Sequence, residues 1–209
     1  MIEQDSINVI QGSDEWKLAK LGYVSASNIA DVMAKVKSGE AITRRKYKVR
    51  LVAERLTGKI GESYTNPSME HGVITEPLAK VAYEVKTSSF IDNTGFWKHP
   101  TIKWVGCSPD GLVGETGLVE CKCPNTTTHI DYLFENKVPT EYYKQIQCQL
   151  WVMQKEWVDF ISFDDRLPEK KQLFIKRAYR DEELIKEMEK EVIIFLDEVE
   201  QMMEKLNAD

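Results

Sequence analysis

Three charged side chains stand close enough in the sequence to do chemistry together. They are Asp110, in Pro109-Asp110-Gly111, and Glu120 and Lys122, in the run GLVECKC. Taken alone, a Pro-Asp-Gly step between apolar runs is a turn signature. The run GLVECKC says more. Its alternation puts Leu118, Glu120 and Lys122 on one strand face and Val119, Cys121 and Cys123 on the other. An acid and a base two apart on a strand that otherwise reads as core must be paired, solvated or functional, the plain alternative being charge on an exposed edge strand. Asp110 closes one strand and Glu120 lies in the next, so a hairpin would bring all three side chains to one end of a sheet. Two converging carboxylates make a hard oxygen site suited to Mg²⁺ or Mn²⁺. A lysine beside them can hold or deprotonate a water aimed at phosphorus. Together these groups supply what phosphodiester hydrolysis needs: a nucleophile, charge neutralisation and stabilisation of the leaving oxygen.

The elements that must position these residues read as mixed α and β. Residues 25–35 and 43–56 have helical patterning behind Ser or Thr caps. The second carries Arg44, Arg45, Lys46, Lys48, Arg50 and Arg55, which suits a solvated surface or a phosphate-facing one equally. Residues 78–86 start a helix with Pro77 in its first turn. From 88 to 123, β-formers broken by Gly, Pro and Asp predict two or three antiparallel strands. A helix over 142–153 and a strand over 157–163 follow. Over 181–207, Ile185, Met188, Val192, Phe195, Val199, Met202 and Leu206 recur by threes and fours, which predicts a long amphipathic helix with an acidic outer face.

The 209 residues carry 42% hydrophobic and 30% charged side chains, ordinary for a globular chain and read here as a single domain over 1–209. The net charge of −6 is unlike that of a protein holding nucleic acid by bulk basicity, but it is unevenly distributed. Residues 1–60 hold eleven basic and seven acidic side chains, whereas 181–209 hold three and eleven. The four cysteines, with no secretory signal or long apolar run, predict reduced thiols in the cytoplasm and no membrane span. Cys107, Cys121, Cys123 and Cys148 lack the spacing of a structural zinc site and read as buried thiols. Of the histidines, His71 is the one placed to approach the site, and Trp16 reads as a packing residue.

Five ordered blocks resemble the phage lambda exonuclease and YqaJ-type viral recombinase family, within the PD-(D/E)xK nuclease superfamily. They are Trp16-x3-Lys20-Leu21-Gly22-x2-Ser25-Ala26-Ser27; Gly72-x3-Glu76-Pro77-x-Ala79; Cys107-Ser108-Pro109-Asp110-Gly111-Leu112; Glu120-Cys121-Lys122-Cys123-Pro124; and Tyr142-x2-Gln145-x-Gln147-x3-Trp151.

The resemblance implies an α/β fold: a restriction-endonuclease-like core with a central mixed β-sheet flanked by helices, the long C-terminal helix included. It implies Asp110, Glu120 and the Cys121 carbonyl as ligands of a catalytic Mg²⁺, for which Mn²⁺ can substitute. Glu76 would serve a second ion, and Lys122 would orient or activate the attacking water. Lys20 stands where the family has an arginine on the terminal 5′ phosphate, which weakens or rearranges that contact because lysine is a point charge and not a fork. Ser27 belongs to the same pocket, Ser108 approaches phosphate, and Gln145, with Gln147 as a near-equal candidate, reaches the site from a helix. The implied activity is 5′-to-3′ digestion of one strand of linear duplex DNA, leaving 3′ overhangs for strand annealing. The implied partners are double-stranded DNA ends, two further copies of the chain in a trimeric ring, and a phage single-strand annealing protein in a bacterial host. An endonuclease of the same superfamily, or an inactive DNA-binding protein, is the alternative.

Overall fold

The computed structural model describes residues 6–7, 9–61 and 67–208. The expected sheet is present as two mixed sheets of four strands. The first has the order β1 (Ser6–Ile7), β3 (Phe96–Lys98), β4 (Val105–Cys107), β2 (Val24–Ser25), with β2 parallel to β4. The second has the order β5 (Gly111–Val113), β6 (Gly117–Lys122), β7 (Trp157–Phe163), β8 (Leu173–Tyr179). The region expected to hold two or three strands thus holds four, shared between the sheets. Asp110 lies in the step from one sheet to the other, just before the β5–β6 hairpin.

Strand β6 is central, antiparallel to β5 and parallel to β7, with Glu120 opposite Phe160. This excludes the edge-strand reading of its charges. Parallel neighbours need a crossover, and α5 (Thr126–Glu135) and α6 (Thr140–Met153) supply it. The alternation read from GLVECKC holds in three dimensions. Leu118 joins a large core with Val158, Phe160, α6 and the final helix. Val119 and Cys121 face a smaller core with Ile161, Phe163, Ala79 and Tyr83. Those last two come from α4 (Pro67–Thr87), which packs on the opposite side of the sheet from α6. Pro77 lies inside α4 and not in its first turn, so the helix begins ten residues earlier than expected and tolerates one missing backbone donor.

The stretch 25–35 is shorter than expected, a 3₁₀ turn (Ala26–Asn28) followed by α2 (Ile29–Val32). Helix α3 (Ile42–Thr57) packs against α7 (Glu182–Asn207), which Asp181 caps by accepting from the Leu184 N–H at 3.0 Å. Five of the seven apolar positions predicted for α7 are buried, from Ile185 to Val199, while Leu206 is exposed. This contact also decides the basic helix. Arg44 and Lys48 pair with Glu198 at 2.6 and 2.5 Å, and Arg55 with Glu200 at 2.6 Å. Half of its cations therefore neutralise acids of the last helix, and the acidic outer face is smaller than the charge count implied. Arg45, Lys46 and Arg50 lie exposed.

A buried network ties β7 to β8 and α4. Asp159, 2% exposed, accepts two bonds from Arg177, each 2.8 Å, and one from Tyr83 Oη at 2.8 Å. Removing one partner of a buried pair costs about 3–5 kcal/mol. Because Arg177 is 41% open to water, Arg177→Ala is expected at the low end, about 3 kcal/mol, measured as a fall in urea midpoint at constant slope.

Candidate active site

The site is assembled where the two sheets meet α6 and the α1–β2 turn. Asp110, 7% exposed, is fixed by its neighbours in the hairpin. Its N–H donates to Val119 O at 3.1 Å, and its Oδ2 accepts from the Cys121 N–H at 2.7 Å. Its Oδ1 accepts from Gln11 Nε2 at 3.2 Å. Glu120 is 1% exposed and receives three donors: Lys122 Nζ and Gln145 Nε2 (2.5 Å) on Oε1, and Gln149 Nε2 (2.5 Å) on Oε2. Gln145 and Gln149 are one helical turn apart on α6, so one face of that helix clamps both oxygens.

Electrostatics follows from burial. Desolvation pushes the Glu120 carboxyl above its usual value and the nearby Asp110 charge adds to this, against the pull of Lys122. Burial pulls Lys122 down, but Glu120 and Asp110 outweigh it and hold the ammonium above the usual lysine range. Two buried carboxylates beside a small cavity offer hard oxygen donors to a divalent cation.

That cavity, of about 170 Å³, is lined by Asp110, Glu120, Lys122 and Gln145 and also by Lys20 and Ser27. The last two come from elements far away in sequence. Helix α1 (Asp14–Ala19), capped by Ser13, presents Trp16 and then Lys20. Trp16 is more than a packing residue: its Nε1 donates to Ser108 Oγ at 2.8 Å, and Lys20 Nζ lies 3.9 Å from its ring centroid. The chain then turns at Gly22, whose φ of +75° and contact with Arg55 leave no room for a Cβ. The turn is clasped from α3, Glu54 accepting from the Gly22 N–H at 2.9 Å and Arg55 Nε donating to its carbonyl at 3.0 Å. Ser25 and Ser27 follow, their hydroxyls 3.2 Å apart. Arg50 comes from α3, its guanidinium donating to Asn28 Oδ1 at 2.8 Å. Burial, and then the charge of Arg50, push Lys20 below its usual value. Lys20 thus stands beside the serine hydroxyls, with Arg50 near it and Arg50 Nε in turn 3.7 Å from Glu54 Oε1.

Two expected residues, Gln147 and His71, are placed away from the site, and a third, Glu76, beside it. Gln147 does not reach the site: fully buried, it donates to Tyr179 O and accepts from the Asp181 N–H, both at 2.8 Å, and so fastens α6 to the β8–α7 junction. His71 faces Thr75 and Asp165, 3.5 Å from the latter, and not the carboxylates. Glu76 lines an adjoining cavity with Asp110 and Gln11, and its Oε1 pairs with Lys80 at 2.8 Å. Among the described residues, no three His, Cys, Asp or Glu side chains stand together as a ready metal cluster. Three of the four cysteines, Cys107, Cys121 and Cys148, are buried as expected, while Cys123 is half-buried.

With this geometry in place, comparison with known proteins is decisive. The sequence matches the YqaJ-like viral recombinase domain over residues 15–156, which holds every active-site residue named above except Gln11. The chain belongs to that family. Its fold is similar to the crystal structure of an alkaline exonuclease from Laribacter hongkongensis, with a TM-score of 0.88 and 44% identity, covering 94% of this chain and 97% of the other. The same exonuclease in complex with dAMP matches equally. A phage-related exonuclease from Haemophilus somnus 129PT, 17% identical with a TM-score of 0.72 over 88% of this chain and 96% of that one, shares the fold. No curated protein matches the chain. This member of the YqaJ-like family thus has the fold of alkaline and phage-type exonucleases. Among its described residues no helix is long and apolar enough to cross a membrane.

Proposed function

We propose that the protein is a divalent-cation-dependent exonuclease that digests one strand of linear double-stranded DNA from the 5′ end and leaves 3′ overhangs for annealing. One observation carries this reading: the carboxylate pair with its lysine and the cation pocket of Lys20 and Ser27 line the same small cavity. Placing the Lys20 and Ser27 side chains beside the carboxylates favours an enzyme that reads ends over an endonuclease. The 44% identity to an alkaline exonuclease supports nuclease chemistry at this site.

The donor set fits a hard divalent cation: two buried carboxylates, one of them pushed up by desolvation, in a cavity whose described lining holds no Cys, His or Met. Asp110, Glu120 and the Cys121 carbonyl would hold Mg²⁺, with Mn²⁺ as a substitute, and Glu76 would serve a second ion once released from Lys80. When bound, the metal supplies positive charge at the scissile phosphate and activation of water. The chain's own residues do the rest. Lys122, anchored on Glu120, orients the attacking water. Gln145 keeps the Glu120 Oε1 in place, and Ser108, held by Trp16, approaches the backbone phosphate. Lys20, Ser27 and Arg50 receive the 5′-terminal phosphate. Arg50 offsets the lysine that stands where the family has an arginine, by adding a second cation from another helix. The family reading extends to a trimeric ring threaded by DNA, an annealing protein as partner, and the cytoplasm of a bacterial host.

Duplexes labelled on either the 5′ or the 3′ end test polarity. Label is expected to leave as mononucleotide first from the 5′ end, and first release from the 3′ end would overturn the reading. The pocket makes a separate prediction. A charge-assisted bond contributes about 1.5–3 kcal/mol, so Lys20→Ala and Arg50→Ala should each reduce the preference for 5′-phosphorylated over 5′-hydroxyl ends by about ten-fold or more. Equal slowing on both kinds of end would remove these residues from phosphate recognition.

A further inference from the structure

Gln149 has one oxygen that no described residue accounts for. Its side chain is 0% exposed, it lines the cavity that holds Asp110, Glu120 and Lys122, and its Oε1 has no hydrogen-bond partner among the described residues. Buried polar atoms are nearly always bonded, and leaving one unpaired costs about 1–3 kcal/mol. Turning the amide over would not help. Its Nε2 donates to Glu120 Oε2 at 2.5 Å, so a flipped amide would set oxygen against oxygen on a carboxylate. The donor half of Gln149 is therefore fixed on Glu120, and the acceptor half is left facing whatever enters the cavity.

We propose that Gln149 is a positioning residue for the cleavage reaction, holding Glu120 through its amide N–H and an ordered water, in the hydration of the divalent cation, through its Oε1. The inference rests on the metal-dependent reading above. The chemistry selects the occupant. An amide oxygen accepts and cannot donate, so a bare cation-facing carboxylate or a phosphate oxygen is repelled, whereas a water polarised by a nearby cation donates strongly. Gln149 gains and loses no proton. It and Gln145 divide the two oxygens of Glu120 between them, so rotation of the carboxylate would break both bonds. Neither the turn signature nor the strand alternation pointed to this residue, because only the packing of α6 on β6 brings it in.

The test uses the full chain and Mn²⁺ alone, read by electron paramagnetic resonance or calorimetry without DNA, beside cleavage of 5′-phosphorylated duplex. Loss of an outer partner of a metal ligand lowers metal affinity or activity by about 10- to 100-fold. Gln149→Met, which keeps the volume and removes both bonds, is expected to weaken Mn²⁺ binding by about that factor. It should also lower kcat while the KM for DNA stays within about two-fold of wild type, the split expected when substrate binding is untouched. Gln149→Glu restores an acceptor but replaces the donor with charge, and is expected to bind Mn²⁺ at least as tightly as Gln149→Met and still cleave slowly. If Gln149→Met fails to fold by circular dichroism, the Gln149→Glu kcat decides the matter. Mn²⁺ affinity and kcat within three-fold of wild type in a folded Gln149→Met variant would overturn the proposal. A wild-type protein that binds Mn²⁺ yet cleaves no DNA would overturn the nuclease reading instead, and the Mn²⁺ affinities would then judge Gln149 by themselves.

Discussion

Asp110→Asn is expected to abolish cleavage of linear duplex DNA, by about three orders of magnitude, the scale on which removal of a charged participant in a transition state acts. The fold should survive. Asparagine has the same shape, its Oδ1 can still accept the Cys121 N–H, and Gln11 can turn its amide to meet the new NH₂. The substitution also removes one of two buried negative charges that raise each other's cost, since Asp110 contributes to pushing Glu120 up. The thermal midpoint is therefore expected at or slightly above that of wild type. Measuring midpoint and rate on the same preparation separates loss of chemistry from loss of structure. A folded Asp110→Asn variant with cleavage within ten-fold of wild type would place the active site elsewhere.

Lys122→Met should fail twice, in activity and in stability. Lys122 is the one cation paired with Glu120 among the described residues, and its side chain is 28% open to water while that of Glu120 is 2% open. Taking one partner from a buried ion pair leaves a charge without compensation, at about 3–5 kcal/mol. The two glutamine amides remain, and the lysine is partly wet, so about 3 kcal/mol is expected. Cleavage should fall by about 100-fold or more, since nothing remains to orient the water. The two losses respond differently to metal. Saturating Mg²⁺ should raise the midpoint of Lys122→Met more than that of wild type, because the cation replaces the missing positive charge beside Glu120. Equal shifts in both proteins would mean that the ion does not bind beside Glu120.

The residues that carry these two predictions were legible because they are local. Asp110, Glu120 and Lys122 belong to one hairpin step, and period-two alternation alone assigns their faces. The long helix α7 was legible for the same reason, its apolar residues repeating within one element. What sequence did not show depends on contacts between distant segments. The single expected sheet is divided between β4 and β5, and the first half includes β2, two residues long, which pairs with β4 some eighty residues later and has no local signal to mark it. Gln147 and Gln149 are both buried glutamines of α6, and only the direction each faces separates a structural clamp from a site residue. Arg50 was counted among six basic residues of one helix. Its difference from Arg44, Lys48 and Arg55 comes from α7, whose glutamates neutralise those three and not Arg50.

The same division settles what a net charge of −6 means for a protein proposed to hold DNA. Glu187 and Glu191 pair with Lys35, and Glu198 and Glu200 pair with α3, so part of the acid of the last helix is neutralised within the fold. Lys20 lies with the serine hydroxyls at the cavity that also holds the carboxylates, and the charge of Arg50 is near enough to act on it. Local field and not total charge governs such a site.

The central claim is that this cavity hydrolyses DNA from a strand end. Purified protein with Mg²⁺ should be given a linear duplex and the covalently closed circle of the same sequence, and the mononucleotides released from each should be followed in time. Digestion of the linear form with the circle left intact is the predicted result. Cleavage of the circle at a comparable rate would contradict it.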